Sequence, residues 1–143
     1  MPSARPAMVL IVSGIFLAPA FLTAGEPSPA AAPPVTAEEG SDGVQRATIV
    51  LDSYSYTPRH LIVQQGKAVE LTLTSVTTIV PHNFILKDPA AGLSVEKDVS
   101  AGKTEKVTFT PTQAGTRIFY CDRRLWPMPS HREKGMEGQL EVR

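Results

Sequence analysis

Apolar and polar residues alternate along Ala47-Thr48-Ile49-Val50-Leu51-Asp52, along His60-Leu61-Ile62-Val63-Gln64 and, most regularly, along Val69-Glu70-Leu71-Thr72-Leu73-Thr74. A period of two is that of a strand with one buried face. The same reading predicts strands over His82 to Leu86, Glu96 to Ser100, Lys106 to Thr110, Thr116 to Cys121 and Gly138 to Val142, divided by Gly66-Lys67, Asp88-Pro89, Ala101-Gly102-Lys103, Pro111 and Gly115. No window longer than about ten residues holds a helical apolar stripe. Many short strands with Gly and Pro between them predict an all-β sandwich or barrel.

The pattern changes before Ala47. Met1 to Gly25 has one early cation at Arg5, then the apolar run Met8-Val9-Leu10-Ile11-Val12-Ser13-Gly14-Ile15-Phe16-Leu17, and ends on Thr23-Ala24-Gly25. This is the layout of a signal peptide, with residues 1–24 removed on export. The rival reading, an uncleaved membrane anchor, is opposed by the stretch from Ala7 to Leu22, which is broken by Ser13, Gly14 and Pro19 and is shorter than the ~20 residues of a spanning helix; with the segment cleaved, no stable membrane span is expected. Residues 25–46 are rich in Pro, Ala, Ser, Gly and acid, with Val35 and Val44 as the only large aliphatics. Such a composition predicts a disordered linker, because little apolar surface is available to offset the ordering entropy. The folded domain is then expected over residues 47–143.

Composition removes several functions. The 143 residues carry 14 Lys+Arg and 14 Asp+Glu, so the chain lacks the positive field with which nucleic-acid binders collect phosphates. A single Cys excludes a disulfide framework within the chain, and equally a zinc knuckle or an iron–sulfur cluster.

The soft donors concentrate near the C-terminus, at Cys121, Met128, His131 and Met136, with His60 and His82 elsewhere. Cys121 ends the apolar run Ile118-Phe119-Tyr120-Cys121, and one loop then carries His131 and Met136 back to the strand at Gln139 to Val142. His82 follows Pro81 at the start of a separate strand. Two imidazoles, one thiolate and one thioether form a trigonal site with a weak axial sulfur, which suits copper cycling between Cu+ and Cu2+. Zinc usually takes a fourth strong ligand. Each residue also has a plainer role open to it: Cys121 as a small buried hydrophobe, His82 as a core histidine, His131 as part of a solvated turn. Met128 lies between Pro127 and Pro129 and reads as loop packing, and His60 as a surface histidine.

Pro81-His82-Asn83-Phe84, followed by Phe119-Tyr120-Cys121, His131 and Gly135-Met136, resembles the cupredoxins, the blue (type 1) copper family of plastocyanin and azurin. Tyr56 to Leu73, with Pro58, Val63, Gly66, Val69 and Leu71, is similar to the early strands of small bacterial members. The resemblance implies a Greek-key β-sandwich of about eight strands with one copper ion at one end. It implies His82, Cys121 and His131 as close ligands and Met136 as the axial one. It further implies that Asn83 ties the ligand loops together and aims its amide at the Cys121 sulfur. Nine residues, Asp122 to Ser130, separate Cys121 from His131, more than the two to four of the small electron carriers. That spacing is nearer to the type 1 domain of copper nitrite reductases, but Tyr120 stands where those enzymes carry a His beside the Cys.

The expected function is that of an exported or periplasmic one-electron carrier between redox protein partners, without catalysis of its own. The alternative is a copper carrier or buffer serving delivery or resistance. Leu125-Trp126-Pro127-Met128-Pro129 is either a docking patch beside the metal or a loop that covers itself. Arg123, Arg124, Arg132 and Lys134 against Asp122 and Glu133 leave the loop at +2, either a charge that steers an acidic partner or simply a solvated rim.

Overall fold

The structure is a computed structural model that describes residues 32–143. The expected signal peptide, residues 1–24, and the beginning of the expected linker lie outside the described residues. Among the described residues no helix is long and apolar enough to cross a membrane.

Among the described residues, eleven strands form two sheets: β1 Val35–Thr36, β2 Glu38–Glu39, β3 Gln45–Asp52, β4 Ser55–Thr57, β5 His60–Val63, β6 Val69–Ser75, β7 His82–Asp88, β8 Leu93–Val99, β9 Thr104–Phe109, β10 Gly115–Tyr120 and β11 Glu137–Val142. One sheet has the order β1-β5-β11-β10-β7-β8, and the other β2-β3-β6-β9 with β4 paired to β3. Most neighbours are antiparallel, but β1 with β5, β5 with β11 and β3 with β6 run parallel. The all-β sandwich expected from the alternation is present, with three strands beyond the expected eight.

The alternation places the core. Along β6, Val69, Leu71 and Leu73 are fully buried while Glu70, Thr72 and Thr74 face outward. Tyr56, Phe84 and Phe119 meet between the sheets, with ring centroids 5.1 to 6.1 Å apart. Gly138 makes room for this cluster, since a Cβ there would run into the Phe119 ring and come within 2.7 Å of the Arg59 carbonyl.

The linker expectation is corrected for its described part. Val35–Thr36 adds to β5 and Glu38–Glu39 to β3, so the chain passes from one sheet to the other at Ala37, itself buried. Gln45 is 1% exposed; its side-chain amide donates to Gln64 O at 3.1 Å, and its Oε1 accepts from Gln64 N at 2.6 Å. Backbone pairing to existing strand edges orders this stretch, and such pairing needs few large side chains.

Candidate metal centre

Three strand ends and one turn converge at one end of the sandwich. His82 opens β7, paired in register with Val99, and the loop before it is braced by hydroxyls: Ser75 Oγ lies 2.9 Å from Thr77 Oγ1, which donates to Val80 O at 2.6 Å. Cys121 follows the last residue of β10. Its N–H donates to Met136 O at 3.1 Å, which seats it against the start of β11.

His131 comes from the long loop, yet a turn fixes it. Ser130 N and Oγ both donate to Glu133 Oε2, at 2.6 and 2.7 Å, and Lys134 N donates to His131 O at 3.1 Å. The two Ser130 bonds hold the Glu133 carboxyl down at a pKa of about 2. The backbone closes the arrangement, with His131 N on Arg123 O at 2.8 Å and Met136 N on His131 O at 2.9 Å.

The ligand atoms of His82, Cys121 and His131 lie within 4.8 Å of one another, and all three residues are buried. Cys121 Sγ is 3.3 Å from His131 Nδ1, and the two imidazole centroids are 5.1 Å apart. Asn83 ties the ligand segments together as the resemblance implied: its Nδ2 donates to Asp122 Oδ1 at 2.7 Å, its Oδ1 accepts from Asp122 N at 3.1 Å, and its own N–H points at Cys121 Sγ, 3.4 Å away. Tyr56 Oη donates to Asn83 O at 2.6 Å beneath them. Met136 is completely buried, and its backbone is bonded to both Cys121 and His131.

Burial sets the charge state of the three side chains. Burial, with His131 as a smaller cause, lowers the His82 pKa to about 4. Burial also lowers His131, helped by Lys134 and Arg123. Both imidazoles are therefore neutral at pH 7, with lone pairs available. Burial raises the Cys121 thiol, partly opposed by the amides of Asn83 and Arg123. Both ring nitrogens of His82 are buried without a hydrogen-bond partner. A buried polar atom without a partner is costly unless something else satisfies it. Two orphaned nitrogens beside a thiol and a second imidazole fit a copper ion, which would accept one lone pair and draw the proton off the sulfur.

The other candidates separate from this group. His60 is half-buried and bonds Glu141 through Nε2 at 2.8 Å, so it is a paired strand residue outside the cluster. Met128 is 43% exposed and, with Tyr54, Ile79, Val80, Pro81, Leu125 and His131, lines a cavity of about 350 Å³ beside the site. Of its lining, Ile79 and Leu125 are 84% and 70% exposed, and Trp126, next to Leu125 in the chain, is 82% exposed. The long loop therefore does not cover itself with its apolar residues.

Carboxylates outside the loop answer two of its cations: Arg123 pairs with Asp98 and Arg132 with Glu137 at 3.5 Å. Arg124 pairs within the loop with Glu133 at 2.7 Å, and Lys134 stands over the Tyr54 ring at 4.1 Å. Sequence reasoning also missed Tyr54, whose φ of 60° turns its ring edge-on against His131 with centroids 5.0 Å apart. Ser53-Tyr54-Ser55 reads as a turn between strands, but nothing in the chain says which loop that turn meets.

The sequence matches the model of the cupredoxin-like domain family over residues 14–139. Among solved structures, it is similar to the metal-binding domain of the Cu(I)-exporting P-type ATPase of Streptococcus pneumoniae. The TM-score is 0.61 and the identity 20%, over 78% of this chain and 96% of that one. The reduced auracyanin of Roseiflexus castenholzii gives 0.56 at 22% identity, over 68% and 96%. Auracyanin A, a "blue" copper protein of Chloroflexus aurantiacus, gives 0.50 at 24%, over 68% and 99%. No curated protein matches the sequence. At these identities the solved structures establish a common fold, and the family match, which runs along most of the chain, establishes kinship: this chain belongs to the cupredoxin-like domain family.

Proposed function

We propose that the protein is an exported mononuclear copper protein that carries single electrons between redox partners, with His82, Cys121 and His131 as close ligands and Met136 as the axial thioether. The observation that carries this reading is the buried His82–Cys121–His131 group, its donor atoms within 4.8 Å and both His82 nitrogens unpaired. Bound copper supplies a one-electron couple. The chain's own residues supply rigidity, because His82 and Cys121 stand at the ends of core strands, Asn83 bonds the Cys121 sulfur and the Asp122 backbone, and Met136 bonds the Cys121 and His131 backbones. A donor set that moves little between oxidation states keeps the reorganisation barrier to electron transfer low.

Burial favours a shuttle over delivery of the metal. His82, Cys121 and Met136 are fully buried and His131 is 6% exposed. Handing copper to another protein proceeds by ligand exchange, which needs an open face. Electron exchange needs only a short path, and the His131 edge at the cavity supplies one. The exposed lining residues Ile79, Leu125 and Met128, with Trp126 exposed next to Leu125 in the chain, suit a partner with an apolar face. Because the arginines of this rim already have carboxylate partners, steering by an acidic protein contributes little.

Copper-loaded protein is expected to show an intense visible sulfur-to-copper charge-transfer band that Cys121→Ser abolishes, and a reversible voltammetric wave. A colourless copper-loaded protein sinks the reading. A coloured protein that gives its copper to a chelator within minutes and shows no wave moves it to copper handling.

A further inference from the structure

Arg59 is exposed and belongs to no strand, yet it holds the segment around Met136 at three points. Its Nη2 donates to Gly135 O at 2.7 Å and its Nε to Glu137 O at 3.2 Å, the two carbonyls on either side of Met136. Its own carbonyl accepts from Gln139 N at 2.7 Å. Gly135, with φ of 90°, and Gly138 flank Met136-Glu137, so this turn has few side chains of its own to stiffen it. Met136 lies between the clamped carbonyls, with its N–H on His131 and its carbonyl on Cys121. A displacement of that peptide therefore moves the thioether relative to both.

We propose that Arg59 is a positioning residue for the Met136 thioether: its guanidinium fork, bonded to the carbonyls before and after Met136, sets the place of that sulfur relative to Cys121 and His131. This rests on the copper reading, in which the axial sulfur is the weakest donor and the one most easily displaced. Weak donors are the ones whose placement tunes a metal centre. A planar guanidinium presents Nε and Nη2 at a fixed spacing to two carbonyls, and a lysine reaches only one.

The test compares the full chain with Arg59→Gln, Arg59→Lys and Met136→Leu, and with Arg59→Gln in the Met136→Leu background. In the metal-free protein, Arg59→Gln is expected to speed amide exchange at Met136 and Cys121 roughly tenfold and to shift the Met136 ε-methyl resonance. In the copper-loaded protein it is expected to move the reduction potential and the ratio of the visible bands. Arg59→Lys, which keeps the charge, should show part of this change, and in the Met136→Leu background Arg59→Gln should show none. An equal shift of potential in that background means that the lost charge acts directly, and overturns the proposal. So does a potential unchanged in Arg59→Gln while the copper stays bound. If the parent chain takes up no copper, the function proposed above fails, and the methyl resonance alone decides: no shift in Arg59→Gln overturns the positioning role.

Discussion

The two halves of the site are built differently. On one side, His82 and Cys121 are fully buried, Asn83 bridges them, and the Tyr56, Phe84 and Phe119 rings lie beneath. On the other, His131 rides on a hydrogen-bonded turn under Tyr54 and shares a cavity with Leu125 and Ile79, which stand in solvent, as does Trp126 next to Leu125 in the chain. The inner half spends packing and hydrogen bonds on holding donors still. The outer half holds one imidazole and leaves apolar surface open around it. A long connection from Cys121 to His131 is thus compatible with a compact donor set, because the Ser130–Glu133 turn and the His131–Arg123 backbone bond fix its far end. Substitutions in the inner half should cost stability, and those at the exposed apolar residues of the outer half should change only what docks.

The largest effect is expected at Phe119. It is fully buried against Tyr56, Phe84 and the space left by Gly138, and Phe119→Ala removes a ring that nothing nearby replaces. A loss of about 3–5 kcal/mol follows from comparable core truncations, read by denaturant unfolding of the metal-free protein. A loss below about 1 kcal/mol would mean that the inner half is loosely packed and that its rigidity has another source.

Acid comes next. The folded protein holds His82 near a pKa of about 4, below the ordinary 6.5, because burial disfavours the charged ring. Below pH 6.5 the unfolded chain takes up a proton that the folded chain refuses, so stability is full above 6.5 and falls as the pH drops toward 4. Over that window the loss from His82 is on the order of 3 kcal/mol, and His131, shifted in the same direction, adds to it. Unfolding curves of the metal-free protein at several pH values check this, and a stability that is flat from pH 7 to 4 contradicts it. Asn83→Ala follows, with an expected cost of about 1–3 kcal/mol from the two bonds lost to Asp122. The Asn83 N–H to Cys121 Sγ belongs to the backbone and survives, so the visible band should shift rather than vanish.

The same division explains what the sequence revealed. The sandwich was legible because strands announce themselves by period two, and the candidate donors of both halves because Cys121, His131 and Met136 crowd one short segment. The edge strands Val35–Thr36 and Glu38–Glu39 were not, since they pair through backbone atoms and their composition is that of a linker. Arg59 and Tyr54 escaped for a related reason: each acts across the fold on a loop far along the chain, and neither has a companion nearby that marks it. The pairing of the loop's cations was not legible, because Asp98 and Glu137, which answer Arg123 and Arg132, lie outside the loop.

The smallest effect on the protein itself should come from the outer half, where it is also the most telling. Trp126 and Ile79 are 82% and 84% exposed, so Trp126→Ala and Ile79→Ser should change stability by no more than about 0.5 kcal/mol and leave the visible spectrum alone. Exposed aromatic anchors are nevertheless where docking energy concentrates. Electron exchange with a gold electrode bearing a methyl-terminated monolayer should therefore slow several-fold in these variants. Because the rim arginines are already paired, the parent rate should vary little between low and high salt. Strong salt dependence together with indifference to Trp126 would move the docking face away from this cavity, and the outer half would then need another reason for leaving so much apolar surface in water.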